Sequence, residues 1–81
     1  MQQVIWVVLG FDRSDDSLAV EWELPADFGE ADAARLVGPY PDLIGSSFPL
    51  SDLQLAEVER LLSVEADSTA YAYFLEAQDD S

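Results

Sequence analysis

Oxygen-bearing side chains near the N-terminus offer the most specific chemistry in this sequence. Four of them match positions one, three, five and twelve of a calcium-binding loop: Asp12, Ser14, Asp16 and Glu23. That loop wraps a hard cation, but its sixth position needs glycine for a sharp turn, and this chain has Ser17 there. Because the flanking residues have the pattern of strands instead of helices, we expect a hairpin turn with solvated carboxylates and no metal site.

Catalytic side chains are scarce. The chain has no lysine, histidine or cysteine, so the usual general base, thiolate nucleophile and Schiff-base amine are missing. The pairs Glu21/Glu23 and Asp15/Asp16 match the two carboxylates of a glycosidase in residue type, but neither pair lies in a predicted cleft. We therefore expect a protein that is not an enzyme and that uses no cofactor.

Negative charge dominates the composition. Seventeen acidic residues against three arginines give a formal net charge of −14 over 81 residues. A field of this sign repels nucleic acid and anionic membranes, whereas it attracts basic proteins and raises their encounter rate. The expected partner is a basic protein, and we expect no binding to nucleic acid or to a membrane.

The same composition indicates one folded domain. A hydrophobic content of 49% with 11% aromatic residues excludes a disordered acidic tail, and a chain of this length has room for a single core. We assign residues 1–77 to the domain and residues 78–81 to a frayed tail. The absence of cysteine, and an apolar run at residues 4–9 too short for a signal peptide or membrane span, predict a cytoplasmic location.

Hydrophobic patterning predicts that the chain begins with a β-hairpin. Residues 4–9 form an unbroken β-branched and aromatic run, typical of a central strand buried on both faces. Residues 18–24 alternate, so Glu21 and Glu23 should lie on one face of the second strand. The opposite, core-facing row is predicted to contain Leu18, Val20, Trp22 and Leu24.

Two helices are predicted between the hairpin and the last strand. Asp27 begins a capping-box pattern for a helix over residues 28–37, and Ser51 begins another for a helix over residues 51–63. The connection at residues 38–50 is rich in proline and glycine but keeps several large apolar side chains. It is either an ordered loop that plugs the edge of the core or a functional loop.

Residues 69–77 are predicted to form the last strand by their aromatic content. We place this strand beside the first one, whose two-sided hydrophobicity requires neighbours on both edges. The expected fold is α+β: a three-stranded, mostly antiparallel sheet in the order β-β-α-α-β, with two helices packed on one face. An exposed edge of this sheet offers a route to a homodimer.

The strongest candidate binding surface is the acidic face that the helices leave open. The carboxylates predicted to form it are Asp12, Asp15, Asp16, Glu21, Glu23 and Asp42. If Tyr71 and Tyr73 share this face, they supply the aromatic anchors found at the centres of interfaces. The alternation of the last strand leaves their face open, because the tyrosines or the set containing Ala72 and Phe74 can belong to the core.

At this level of organisation the chain resembles a family. A hydrophobic first strand ends in Gly10-Phe11-Asp12, and an acidic strand, a short helix, a loop and an aromatic last strand follow. This order resembles the small acidic immunity proteins of bacterial toxin systems, including those that neutralise ribonuclease colicins and contact-dependent toxins; the second helix departs from the colicin type. The resemblance implies that the acidic sheet face covers the nucleic-acid surface of a basic toxin domain such as a nuclease.

The acidity is also compatible with two different roles. A small non-catalytic domain from an acidic proteome would have the same charge without any basic partner. An acidic mimic of nucleic acid, inhibiting a DNA-binding protein, would instead carry carboxylates spaced like successive phosphates.

Overall fold

A computed structural model describes residues 4–38, 40 and 46–79 of the chain. They form strands and helices in the order β1 (Val4–Asp12), β2 (Leu18–Glu23), α1 (Glu30–Val37), β3 (Ser47–Pro49), α2 (Asp52–Leu62) and β4 (Tyr71–Asp79). The strands make one antiparallel sheet in the order β2-β1-β4-β3. The α+β class and the position of the last strand beside the first are confirmed, whereas the predicted count of three strands is wrong by one.

The additional strand, β3, lies in the connection between the two helices, where the sequence pattern predicts a loop. Its central residue, Phe48, pairs with Leu75 of β4 and packs against the core. Leu50, just after β3, donates its backbone N–H to the Tyr73 carbonyl oxygen at 2.9 Å. Sequence patterning misses this strand because it is three residues long and ends in proline, which an edge strand tolerates. The described part of the connection therefore closes the edge of the core.

Both helices pack on one face of the sheet. The buried core consists of Trp6, Val8, Leu24, Phe28, Ala33, Leu55, Val58, Tyr73 and Leu75. The α1 helix contributes Ala33 and α2 contributes Leu55 and Val58, while alternate residues of β1 and β4 supply the sheet side. Burial of these side chains is the main stabilising term of so small a domain.

The α1 helix begins later than predicted. Its N-cap is Gly29, whose backbone N–H donates to Asp32 Oδ2 at 3.0 Å. Asp27 is exposed and does not cap the helix, because the Phe28 N–H donates to the Pro25 carbonyl in a turn and the Phe28 side chain is buried in the core.

The α2 helix begins at the predicted cap. Ser51 Oγ accepts from the backbone N–H of Gln54 at 3.3 Å, and Gln54 Oε1 accepts from the Ser51 N–H at 2.8 Å. This reciprocal pair satisfies two backbone donors at the start of the helix.

The hairpin contains a β-bulge that changes the face of one predicted core residue. Gly10 pairs with Val20, but Phe11 pairs with Leu18, so Ala19 is an extra residue on β2. Val20 and Trp22 pack against the core as predicted. Leu18 is 52% exposed, and its predicted place in the core is wrong because the register shifts at the bulge.

The last strand is longer than predicted. β4 continues through Asp79, where Gln78 pairs with Ile5 and Asp79 with Val4. The prediction of a frayed tail is therefore wrong for these two residues, and residues 80 and 81 lie outside the described part of the chain. Within the described residues, no helix is long and apolar enough to cross a membrane.

Candidate functional site

The candidate site is the face of the sheet opposite the helices, here called the open face. Residues paired across antiparallel strands point to the same side of the sheet, so the register defines rows of neighbouring side chains. In the order β2, β1, β4, three consecutive rows of the open face are Glu23–Val7–Glu76, Glu21–Leu9–Phe74 and Leu18–Phe11–Ala72. The first row is the most acidic and the third is entirely apolar.

The acidic end of the open face has carboxylates on both sides of β1. Glu23 and Glu76 flank Val7 and lie two strands apart, which places their backbones about 10 Å from each other. Glu21 and Glu23 are exposed, as predicted. Glu76 is half-buried, and Ser47 Oγ donates to its Oε2 at 3.0 Å. The predicted surface does not include Glu76, although its position in the alternation of β4 would identify it once the phase of that strand is known.

The middle of the open face is apolar and well packed. Val7 is only 4% exposed and Leu9 only 7%, yet neither belongs to the core beneath the helices. Phe11 and Phe74, both half-buried, meet edge to face with ring centroids 5.8 Å apart. These two phenylalanines are the aromatic side chains of the open face.

The tyrosines occupy the other face of the sheet. Tyr73 is 4% exposed, lies in the core and stacks on Trp22. Its hydroxyl accepts a hydrogen bond from the Asp67 N–H at 3.0 Å, which allows the phenol to be buried. Tyr71 is half-buried against the same core, edge-on to Tyr73. Of the two alternatives that the sequence leaves open, the structure therefore has the tyrosines on the core side, so the predicted binding residues Tyr71 and Tyr73 do not share a face with Glu21 and Glu23.

The hairpin turn beyond the apolar row carries three more carboxylates. Asp12 Oδ1 accepts from the N–H and the hydroxyl of Ser14, at 2.8 and 2.6 Å. Asp15 Oδ1 accepts from the N–H and the hydroxyl of Ser17, at 3.0 and 2.7 Å. The Ser17 hydroxyl, followed by the Ser17 N–H, lowers the pKa of Asp15 below its ordinary value of 3.8. Asp16, with a φ of 59°, completes this turn.

These bonds explain the oxygen spacing that matches a calcium loop. Asp12 and Ser14, two residues of that template, bond with each other and close the turn. Among the described residues, no group of three or more acidic, histidine or cysteine side chains is placed to hold a metal ion. Asp42, the remaining predicted carboxylate, lies outside the described residues.

Along β1, the open face thus has two rows with carboxylates at their edges, then one apolar row, and then the acidic turn. An apolar centre with a charged rim is the usual composition of a protein-binding surface. All the charges in the three rows are negative, since their ionisable residues are Glu21, Glu23 and Glu76. The chemistry of the open face therefore suits a partner that brings both apolar contact and positive charge.

Nearly all of this structure falls within one sequence family. Residues 5–76 match DUF7683, a domain of unknown function. The match runs from β1 into β4 and includes both helices and every residue in the rows of the open face. No curated protein and no solved structure matches the chain. Because the family match covers most of its length, the chain belongs to the DUF7683 family.

Proposed function

We propose that this protein is an acidic binding protein that neutralises a basic protein partner, and that the open face holds that partner. The observation that supports this proposal is the arrangement of apolar side chains between carboxylates on a sheet face without a described helix over it. The role requires no catalytic residue, which fits a chain without histidine, lysine or cysteine.

The two parts of the open face have different roles in this proposal. Phe11, Phe74 and the exposed Leu18 supply apolar area, whose removal from water drives association. Glu21 and Glu23 are exposed beside that area, where they attract a basic surface and speed encounter. The negative charges of Glu21 and Glu23 repel acidic proteins and nucleic acid, so the same carboxylates provide selectivity.

The more specific form of the proposal concerns the class of partner. On the organisation-level resemblance to immunity proteins, the partner is a basic toxin domain such as a nuclease. An acidic face bound over the basic surface of a nuclease would occupy the place of its negatively charged substrate. A cytoplasmic location is part of this form of the proposal, since a chain without cysteine suits a reducing compartment.

The test uses a basic protein encoded next to the gene for this chain, titrated with the full chain by calorimetry. The variant Glu21→Lys/Glu23→Lys should raise the dissociation constant by about tenfold or more, mainly through slower association. The matched control, Asp27→Lys/Glu65→Lys, makes the same change in net charge at exposed positions outside the sheet. This control should change the dissociation constant much less.

Three outcomes contradict the proposal. If no neighbouring gene encodes a basic protein, the toxin-neutralising form is wrong. If the wild-type chain does not bind the basic neighbour, the partner assignment is wrong. If both double variants weaken binding equally, the charge acts without regard to position, as expected for a domain from an acidic proteome. Leu18→Ser adds a separate check, because it should weaken binding without changing charge.

A further inference from the structure

A second surface with different chemistry lies on the opposite side of the molecule. A groove of about 530 Å³ runs between α1 and α2. Phe28 and Leu36 contribute apolar walls, and Gln54 Nε2 donates to the Leu36 carbonyl at 3.0 Å across the two helices. This hydrogen bond links α1 and α2 beside the groove.

The rim of the groove exposes large apolar side chains. Leu53 is 84% exposed and Leu61 is 49% exposed, both on α2. They are eight residues apart with Glu57 midway, so the three side chains follow one stripe along the helix. Leu53 is the most exposed large apolar residue in the described structure. The Leu53 side chain belongs neither to the core nor to the open face.

The rim also differs from the open face in carrying both signs of charge. Arg35 forms an ion pair with Asp32 on α1, and Arg60 forms one with Glu57 on α2 at 2.6 Å. The remaining arginine, Arg13, lies at the hairpin and donates to the Ser68 carbonyl. Two of the three arginines in the chain are therefore at or beside this groove.

We infer that the groove between α1 and α2 is the self-association surface of this protein, and that its occupant is a second copy of the chain. A two-fold symmetric dimer brings the same patch of each copy together, so the patch must be complementary to itself. The groove is suited to such a contact, because leucines on its rim can enter the apolar cleft of the partner, while the ion pairs Arg35–Asp32 and Arg60–Glu57 spare it the uniform negative charge of the open face. The open face is not, since its charges are all negative.

The β2 edge of the sheet is less suited to self-association for the same reason. Pairing of the β2 edges would bring Glu21 and Glu23 of two copies into one sheet, and like charges opposite each other are destabilising. A dimer through the helices instead keeps both open faces free on the outside. The inference is thus independent of the proposed partner of the open face.

The two surfaces should respond to salt in opposite ways. Two copies with a net charge of −14 repel each other, so screening by salt should strengthen the dimer. Binding of a basic protein to the open face should weaken under the same conditions. This difference separates failure of one proposal from failure of the other.

Sedimentation velocity of the full chain, from micromolar to millimolar concentration at low and high salt, tests the inference. The wild-type chain should form a dimer that tightens with salt. Leu53→Ser/Leu61→Ser should raise the dimer dissociation constant by about tenfold or more, since it removes exposed apolar area from both copies. Leu18→Ser is the matched control, because it removes an exposed leucine from β2, and it should leave the dimer unchanged.

The charged part of the rim is tested by Arg35→Gln/Arg60→Gln, which leaves only negative groups and should also weaken the dimer. Far-UV circular dichroism checks that each variant is folded. A wild-type chain that stays monomeric at all concentrations and salts overturns the inference. A dimer that survives the groove substitutions but is lost in Leu18→Ser also overturns it and assigns the contact to the open face at β2, where Leu18 lies.

Discussion

The ring of Tyr73 on β4 stacks on Trp22 on β2, with centroids 5.4 Å apart and planes 16° apart, although β1 lies between their strands. The position on β1 between them is Gly10, which pairs with both Val20 and Tyr73. The stack therefore depends on a residue without a side chain in the central strand. This contact fixes which face of β4 is buried, and so which residues form the open face.

Gly10→Ala should destabilise the protein. A Cβ at this position would lie 2.8 Å from Val20 Cβ and 2.9 Å from Tyr73 Cε1. Val20 Cβ is fixed to its backbone and cannot move aside, so the strands or the stack must shift. We expect a loss of about 1 to 3 kcal/mol in the free energy of unfolding. Urea denaturation measures the loss, and an unchanged midpoint would show that the central strand has room for a methyl group.

Tyr73→Phe should have a smaller effect of a different origin. The ring and its stack on Trp22 remain, but the Asp67 N–H loses the hydroxyl that accepts its hydrogen bond at 3.0 Å. The free energy of unfolding should fall by about 0.5 to 1.5 kcal/mol. Tyr71→Phe is the matched control, because it removes the same atom from the neighbouring tyrosine. Equal stability of Tyr73→Phe and the wild-type protein in thermal unfolding would contradict a stabilising role for this bond.

The sequence pattern does not predict which face of β4 is buried. Tyr73 and Phe74 are adjacent and both large and apolar, so alternation gives no phase. The deciding contact joins Tyr73 to residues on two other strands, and no local rule detects it. The acidic row of β2 is predictable because Glu21 and Glu23 alternate clearly with apolar residues. Its partner Glu76 is not, because its assignment depends on the phase of β4.

Local errors in the prediction have local causes. The bulge at Ala19 turns Leu18 out of the core, since one extra residue reverses the alternation. Asp27 has the sequence pattern of a helix cap, but burial of Phe28 moves the start of α1 to Gly29. In each case a tertiary contact or a register shift overrides a short pattern.

Gly29→Ser should stabilise the protein. The N-cap of α1 has φ −118° and ψ −173°, an extended conformation that serine adopts readily, and a Cβ there meets nothing within 4 Å. The Asp32 N–H now donates to the Gly29 carbonyl oxygen at 3.0 Å, and the new hydroxyl can share this donor while Asp32 continues to accept from the residue 29 N–H, which completes a capping box. The helix cap and the less flexible unfolded chain together should raise the free energy of unfolding by about 0.5 to 1 kcal/mol. Gly29→Ala, which lacks the hydroxyl, is the control in urea denaturation, and equal stability of the two variants would contradict the capping role of the hydroxyl.

Hydrogen bonds to exposed carboxylates should make the protein sensitive to acid. The Thr69 hydroxyl, which donates to Asp67 Oδ1 at 2.6 Å, lowers the pKa of Asp67 below its ordinary value of 3.8. The pKa of Asp32 is lowered by the Gly29 N–H and then by Arg35. Below that ordinary value the unfolded chain binds more protons than the folded one, so the free energy of unfolding decreases as pH falls through the folded-state pKa values.

Asp67→Asn should make this decrease shallower in urea titrations below pH 3.8. Asp27→Asn makes the same change in charge at an exposed turn and is the comparison; equal slopes for the two variants would contradict the assignment to the Thr69 bond.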